Sequence, residues 1–539
     1  MRMTIGFACL ASTTRRVVRP KKHQWAAAVA SIACLAGVGC SSASKTTPAS
    51  LPTRLPTLKI ATAIFPTSLN PSVGINDIFS FEETLTHVND HGAAVPFLLS
   101  SLPAQVTPTT WTLTLRPNVT FENGHALTAA VVAAAATKEV ANNPSVKTTL
   151  PGASFVATGP LTITVATGVP TPLLPYLLAD PGLAVYDEPA APDAGTNPQA
   201  FVGTGLFTAP YAIARYSTTE MDLTAYKNYW QGTPKLAGID VLNIADPNAE
   251  IAAVESGQID IADDVDSPDL RHEVADNNNV VVTQSEEPQV QYQLFLDPAS
   301  APTNDLAVRQ AIAQALDYNE LAANFTGGTA EAATGILPPG YPLLVNTQVT
   351  DVAKAQSLLR SDGWAPGANG VLQKNGTPLS LKLLIYTARP LLAPLALGVQ
   401  TMLQKIGMRV SIVSQPYTQT MYSDPSAWNL AIYHYYAISA TGVPDPYYAE
   451  EFGTGGAINN WHIADAHLDQ LIATLSAASG PAQRQAAITA LQNYIWQQAY
   501  VVDVAYAQVG ALATKQWSNY KSGMGDQQGF WDWQTAPNS

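Results

Sequence analysis

Side chains able to carry chemistry are few and mostly isolated. Of the eight histidines (His23, His87, His91, His125, His272, His434, His462 and His467), only two cluster, in His462-Ile463-Ala464-Asp465-Ala466-His467-Leu468-Asp469. Two imidazoles with carboxylates between them could hold a metal. On a helix, however, five residues turn about 500°, so the rings point roughly 140° apart. A capped, solvated helix start fits that spacing better. The paired carboxylates Asp263-Asp264 and Glu286-Glu287 are expected on a wet surface. The chain has no G-x-x-x-x-G-K-[ST] phosphate loop and no H-E-x-x-H. It has no G-x-S-x-G elbow either. The cysteines are Cys9, Cys34 and Cys40, and none follows, so the body of the chain has no thiol for catalysis. The expectation is a protein that is not an enzyme, with no catalytic residue, no cofactor and no built metal site.

The N-terminus carries a different signal. Arg15 to Lys22 is basic, and the apolar run from Trp25 to Val38 is too short to span a ~30 Å hydrocarbon core. This is the anatomy of an export signal. Leu35-Ala36-Gly37-Val38-Gly39-Cys40 places small residues before a cysteine, and Ser41-Ser42-Ala43-Ser44 follows. The segment resembles a bacterial lipobox, which implies cleavage before Cys40 and a diacylglycerol on its sulfur. Residues 1–39 read as signal peptide and 40–56 as a lipidated Ser/Thr/Pro-rich tether. The expected location is the extracytoplasmic face of the cell membrane, touched only through the lipid.

The composition fits a large folded body. In 539 residues, 47% are hydrophobic and 13% charged, which permits a sizeable core and excludes a disordered acidic chain. The net charge is −14; residues 1–39 hold six basic residues and no acid, so the remainder carries −20. Such a surface repels phosphate backbones, and no nucleic-acid partner is expected.

Elements alternate along this body. Leu58–Ile64 reads as a first strand, and Trp111–Arg116 and Leu161–Val165 alternate as half-buried strands. Asp246-Pro247 predicts a capped helix ending at Gly257. Further helices are expected over 351–362, from Leu395 to Ile406, and around Ala487 to Ile495, with strands at Arg409–Val413, Leu381–Tyr386 and Asn429–Tyr435. Strands interleaved with helices predict an α/β architecture.

Several short segments, in order, resemble one family. Ser68-Leu69-Asn70-Pro71 matches an "LNP" turn. Trp111-Thr112-Leu113-Thr114-Leu115-Arg116-Pro117-Asn118-Val119-Thr120-Phe121-Glu122-Asn123-Gly124-His125-Ala126-Leu127-Thr128-Ala129 is similar to "W-T-F-x-L-R-x-G-V-x-F-x-D-G-x-P-L-T-A". Gly203-Thr204-Gly205-Leu206-Phe207, Asn228-Tyr229-Trp230-Gln231-Gly232-Thr233-Pro234, Ser256-Gly257-Gln258-Ile259-Asp260, Val308-Arg309-Gln310-Ala311-Ile312 and Leu337-Pro338-Pro339-Gly340 complete the series. Together they resemble the extracytoplasmic solute-binding proteins of ABC importers, in the oligopeptide/dipeptide/nickel group, family 5.

The resemblance implies a two-lobe, class II periplasmic-binding-protein (Venus-flytrap) fold with an extra inserted domain. Carried over, lobe I comprises 57–70, 200–290 and 505–539, the inserted domain 71–199, and lobe II 291–504. The partners implied are a peptide ligand and the ABC permease with its ATPase, and a monomer is expected. In dipeptide binders an "R-P" between a strand and a helix takes the ligand carboxylate, which points to Arg389 in Thr387-Ala388-Arg389-Pro390. The family's acid for the ligand ammonium precedes an acid-proline pair, here Asp445-Pro446. Counting from either end of that loop reaches Ile438 or Gly442, so Asp445 is its only carboxylate. Phe65, His434, Tyr435 and Tyr436 complete the expected site, with alternate residues of the strand facing opposite sides. His434 also keeps open a nickel-chelate or haem receptor of the same fold.

Overall fold

The computed structural model describes residues 55–63, 65–71, 79–89, 93–192, 197–265, 275, 277–285, 288, 290–327, 330–339, 343–418, 420–436, 442–521 and 530–538. The expected signal peptide (1–39), Cys40, Ile438 and the Glu286-Glu287 pair lie outside the described residues.

Two mixed sheets organise the described chain. The first has seven strands, in the order Val280–Gln284, Gly510–Thr514, Ile261–Asp263, Thr57–Thr62, Gly238–Asn243, Glu220–Ala225 and Tyr211–Tyr216. Thr57–Thr62 pairs in parallel with both Gly238–Asn243 and Ile261–Asp263. The second has six strands, in the order Ala330–Glu331, Val501–Ala507, Val290–Leu296, Leu430–Tyr435, Ser380–Tyr386 and Arg409–Gln415. Ser380–Tyr386 pairs in parallel with Arg409–Gln415 and with Leu430–Tyr435. The neighbouring strands Val290–Leu296 and Val501–Ala507 are buried along their whole length, as strands covered on both faces are.

Local sequence explains the crossovers. The Asp246 side chain accepts the Ala249 amide and opens the helix Pro247–Glu255, as its Asp-Pro start predicts. Asp351 does the same for Val352–Ser361. The helix Leu392–Lys405 lies between the parallel strands Ser380–Tyr386 and Arg409–Gln415, and Gly407, at φ +88°, turns the chain back toward the sheet.

The chain passes between the sheets twice: after Gln284 and again at Gln508–Val509. The second crossing falls a few residues beyond the expected boundary at 505, because Val501–Ala507 stays paired with Val290–Leu296. The two crossings are tied together. Ser285 donates its amide to the Val509 carbonyl at 3.0 Å, and Val509 donates to Ser285 Oγ at 3.1 Å. A separate four-stranded sheet, Ala104–Thr107, Thr110–Thr114, Thr162–Ala166 and Ser154–Ala157, has its own apolar core around Trp111, Phe121, Phe155 and Val165. The Trp111–Thr128 block serves that packing: Trp111 is buried and Thr128 caps the helix Ala129–Asn142.

Buried carboxyls couple this core to pH. Asp503 accepts amide hydrogens from Gln291 (2.6 Å) and Gln293 (2.9 Å), yet burial outweighs these bonds and pushes it up to about 7. Burial also lifts Glu83 to about 7, against hydrogen bonds from Thr208, Tyr229 and Trp230. In the unfolded chain such groups lose their protons near pH 4. Between about pH 4 and 7 the folded state therefore holds more protons, and stability falls as pH rises through that window. The melting temperature should be higher at pH 5 than at pH 7.5. Asp503→Asn should flatten that slope, by up to about 4 kcal/mol of pH-dependent stability, measured by calorimetric melts across the range. An unchanged slope would remove Asp503 as its source.

Candidate functional site

The carboxyl ends of parallel strands are where α/β sheets leave room for ligands. Three segments converge from such ends. Asp264 follows Ile261–Asp263 of the first sheet, at φ +59°. Arg389 lies between the strand Ser380–Tyr386 and the helix Leu392–Lys405 of the second. His434 and Tyr436 stand at the end of Leu430–Tyr435.

The contacts join one sheet to the other. Arg389 Nη2 reaches Asp264 Oδ2 at 2.5 Å, and Nη1 reaches the Asp264 carbonyl at 3.4 Å. Tyr436 donates its hydroxyl to Asp264 Oδ1 at 2.5 Å. The Arg389 side chain is 8% exposed and that of Asp264 4%. Asp264 is steadied from behind, its amide donating to Asp263 Oδ1 at 2.7 Å while the Tyr520 hydroxyl donates to Asp263 Oδ2. The expectation that Asp263-Asp264 marks a wet surface is therefore overturned: both are buried, because each has donors from distant chain segments. Glu250, on the helix Pro247–Glu255, is buried with no hydrogen-bond partner on either oxygen among the described residues. Burial and then the Asp264 charge push it up to about 9, so it stays neutral at pH 7.

The His434 ring packs edge-on against Tyr436 at 4.9 Å and Tyr292 at 5.5 Å. Burial, then the Arg389 charge, hold its pKa well below the usual imidazole value, so it is neutral. Tyr435 points the other way, against Tyr433 and Tyr447, as the strand alternation requires. Arg389, His434 and Tyr436 thus share one place, and Tyr435 is not in it.

The other expected residues sit elsewhere. Asp445 is the first residue of the helix Asp445–Glu451 and is gripped by Arg484 through two contacts, 3.2 and 2.5 Å. Its carboxylate has a partner outside the Arg389 cluster. Gly442 has φ +63°, and a Cβ there would approach Val88 to 2.5 Å; packing, rather than ligand chemistry, explains the absent side chain. Phe65 stacks on Tyr216 and meets Phe79 edge-on, within the first sheet's aromatic core. Of the two clustered histidines only His467 lies on the helix Ala466–Ala477, and His462 precedes it at φ +59°. His462 contacts Asp297 at 3.1 Å, and the amide of His467 is capped by Asp465. Sequence reading missed Asp264, Glu250 and Tyr292. Only the doubled acid Asp263-Asp264 gave any signal, and its burial depends on residues 125 to 257 positions away.

Comparison with known proteins supplies the context. Residues 93–459 match the family model described as "Bacterial extracellular solute-binding proteins, family 5 Middle". The nickel-binding protein NikA of Staphylococcus aureus (strain NCTC 8325 / PS 47) is 29% identical over 397 residues, covering 73% of this chain and 76% of its own. The crystal structure of NikA from S. aureus in complex with Ni(L-His)2 superposes with a TM-score of 0.78 at 24% identity, covering 90% of this chain and all of the other. The oligopeptide-binding protein AppA of Bacillus subtilis, in complex with a nonapeptide, gives 0.75 at 18% identity, covering 89% and 99%.

If Asp445 is a packing residue, Asp445→Asn should cost about 3 kcal/mol of folding stability, because it leaves Arg484 nearly buried and uncompensated. Solute affinity should stay within about threefold of wild type, a change worth under 1 kcal/mol. Chemical denaturation and calorimetry together check this. A stable variant that has lost solute binding would return Asp445 to the ligand.

Proposed function

The chain belongs to the bacterial extracellular solute-binding proteins, family 5, substrate-binding components of ABC importers, and from that premise we propose that its solute is a small nickel chelate bearing a carboxylate. One observation carries this reading: a neutral imidazole, His434, and a guanidinium, Arg389, meet at one buried point between the two sheets. Among the described residues no three His, Cys, Asp or Glu side chains converge. A bare ion would want several such donors. An ion that brings its own chelator needs an anion reader, here Arg389, and can accept His434 as a further ligand. The nickel-binding names of the S. aureus relative and structure support the same chemistry.

Short peptides are the second reading. It is favoured by the tyrosines around the point of convergence, Tyr292, Tyr386 and Tyr436, which suit apolar side chains. The Asp445–Arg484 pair weighs against it, since the loop's only acid is already matched by a protein cation. Either solute would be enclosed by closure of the lobes about the paired crossings and passed to the permease and its ATPase. The proposed anchor is a lipid on Cys40. Among the described residues no helix is long and apolar enough to cross a membrane.

Calorimetry with Ni(II) plus L-histidine should show binding, and Ni(II) alone should not. Arg389→Ala should weaken the chelate by roughly 30- to 5000-fold, the 2–5 kcal/mol lost when one partner of a buried charge pair is truncated. His434→Ala should weaken it as well. Tight binding of peptides with no response to the chelate would move the assignment to the second reading. For the anchor, Cys40→Ala should shift the protein from the membrane to the soluble fraction, and unchanged fractionation would remove the lipid.

A further inference from the structure

The Arg389 fork is filled by the protein itself. Its two terminal nitrogens both reach Asp264, one to the carboxylate and one to the backbone carbonyl. The second oxygen of the same carboxylate accepts from the Tyr436 hydroxyl. A guanidinium and a phenol converging on one carboxylate are the donors a solute carboxylate would seek. They belong to the second sheet, whereas Asp264 belongs to the first, so the contact exists only while the lobes are together. The backbone is arranged to present this group. Asp264 adopts the left-handed conformation, its amide is fixed by Asp263, and Asp263 is fixed by Tyr520.

We infer that Asp264 is an internal competitor for the solute: its carboxylate occupies, on Arg389 and Tyr436, the place of the solute's own carboxylate. The inference rests on the carboxylate-reading role of Arg389 proposed above. It makes Asp264 the residue that sets the cost of admitting a solute, and Arg389 the residue that prefers a carboxylate. A solute with a carboxylate can exchange with Asp264 and restore the charge pair that it breaks. A neutral analogue of the same shape cannot, because it breaks the Asp264 contacts to Arg389 and puts no charge in their place. The same contact holds the empty protein closed, so solute binding is an exchange of one carboxylate for another at a fixed cation.

Asp264→Asn and Asp264→Gly test this, and both suit the backbone, since asparagine and glycine accept a positive φ. If the empty protein is mostly latched, only its unlatched fraction binds, and freeing it raises apparent affinity by the inverse of that fraction. Both variants should bind Ni(II)–L-histidine about tenfold or more tightly than wild type. Ni(II)–histidinamide, which lacks the carboxylate, should gain by a similar factor yet stay the weaker ligand, because only a carboxylate re-pairs Arg389. Small-angle scattering should show a larger ligand-free radius of gyration for both variants and for Arg389→Ala than for wild type. Unchanged or weaker chelate binding by both Asp264 variants, with Arg389→Ala still impaired, overturns the competitor and leaves the carboxylate reading standing. Unimpaired binding by Arg389→Ala overturns both. If neither Asp264 variant folds, scattering decides alone: ligand-free Arg389→Ala and wild type with the same radius overturn the latch.

Discussion

A charge taken out of water must be met by another, and in this protein that rule acts across the gap between two sheets. Arg389 and Asp264 each lose most of their solvent, and each is supplied by a different lobe. An isolated buried ion of either sign would cost several kcal/mol. The closed arrangement therefore depends on what stands opposite Arg389: Asp264, or a solute carrying the same group. This ties closure to chemistry. A flytrap whose lobes met only through apolar side chains would close on many things. One whose closure must neutralise a guanidinium closes on an anion.

The rest of the fold serves that encounter. In both sheets the parallel strands deliver their carboxyl ends to the same region, and the residues that follow them carry the contacts. Motion between the lobes must pass through Gln508–Val509 and the segment after Gln284. Ser285 and Val509 bond to each other where the chain crosses, so the two connections bend as one. A joint built from two bonded connections would limit the directions of any opening between the lobes.

Much of this was legible in the sequence, because periodicity and capping are local. Asp246-Pro247 stated its helix and Leu381 to Tyr386 its strand. The loop position of Arg389 and the alternation at His434 and Tyr436 were also readable. What failed was everything set by distant partners. Asp263-Asp264 looks like solvated surface to any local reading; Tyr436 and Tyr520, far along the chain, bury it. Asp445 looked available because nothing near it in sequence announces Arg484, 39 residues on. Gly442 gave no hint that Val88 fills the space of its side chain.

These failures share a direction that bears on the solute. The acids Asp263, Asp264 and Asp445 are each bound to a cation or a hydroxyl within the protein, and Glu250, which sequence reading missed, is held neutral by burial. Residues 40–539 carry a net charge of −20, yet Asp264, the charged acid described at the convergence of the sheets, is already matched. Among the described residues, a solute arriving there does not meet a free negative wall that would hold an ammonium. It meets a cation whose current partner can be exchanged, beside an imidazole kept neutral by burial and by that cation. Such a site favours a molecule whose negative group replaces Asp264 and whose other surface offers a coordination position, which is the character of a carboxylate chelate more than of a peptide's amino end.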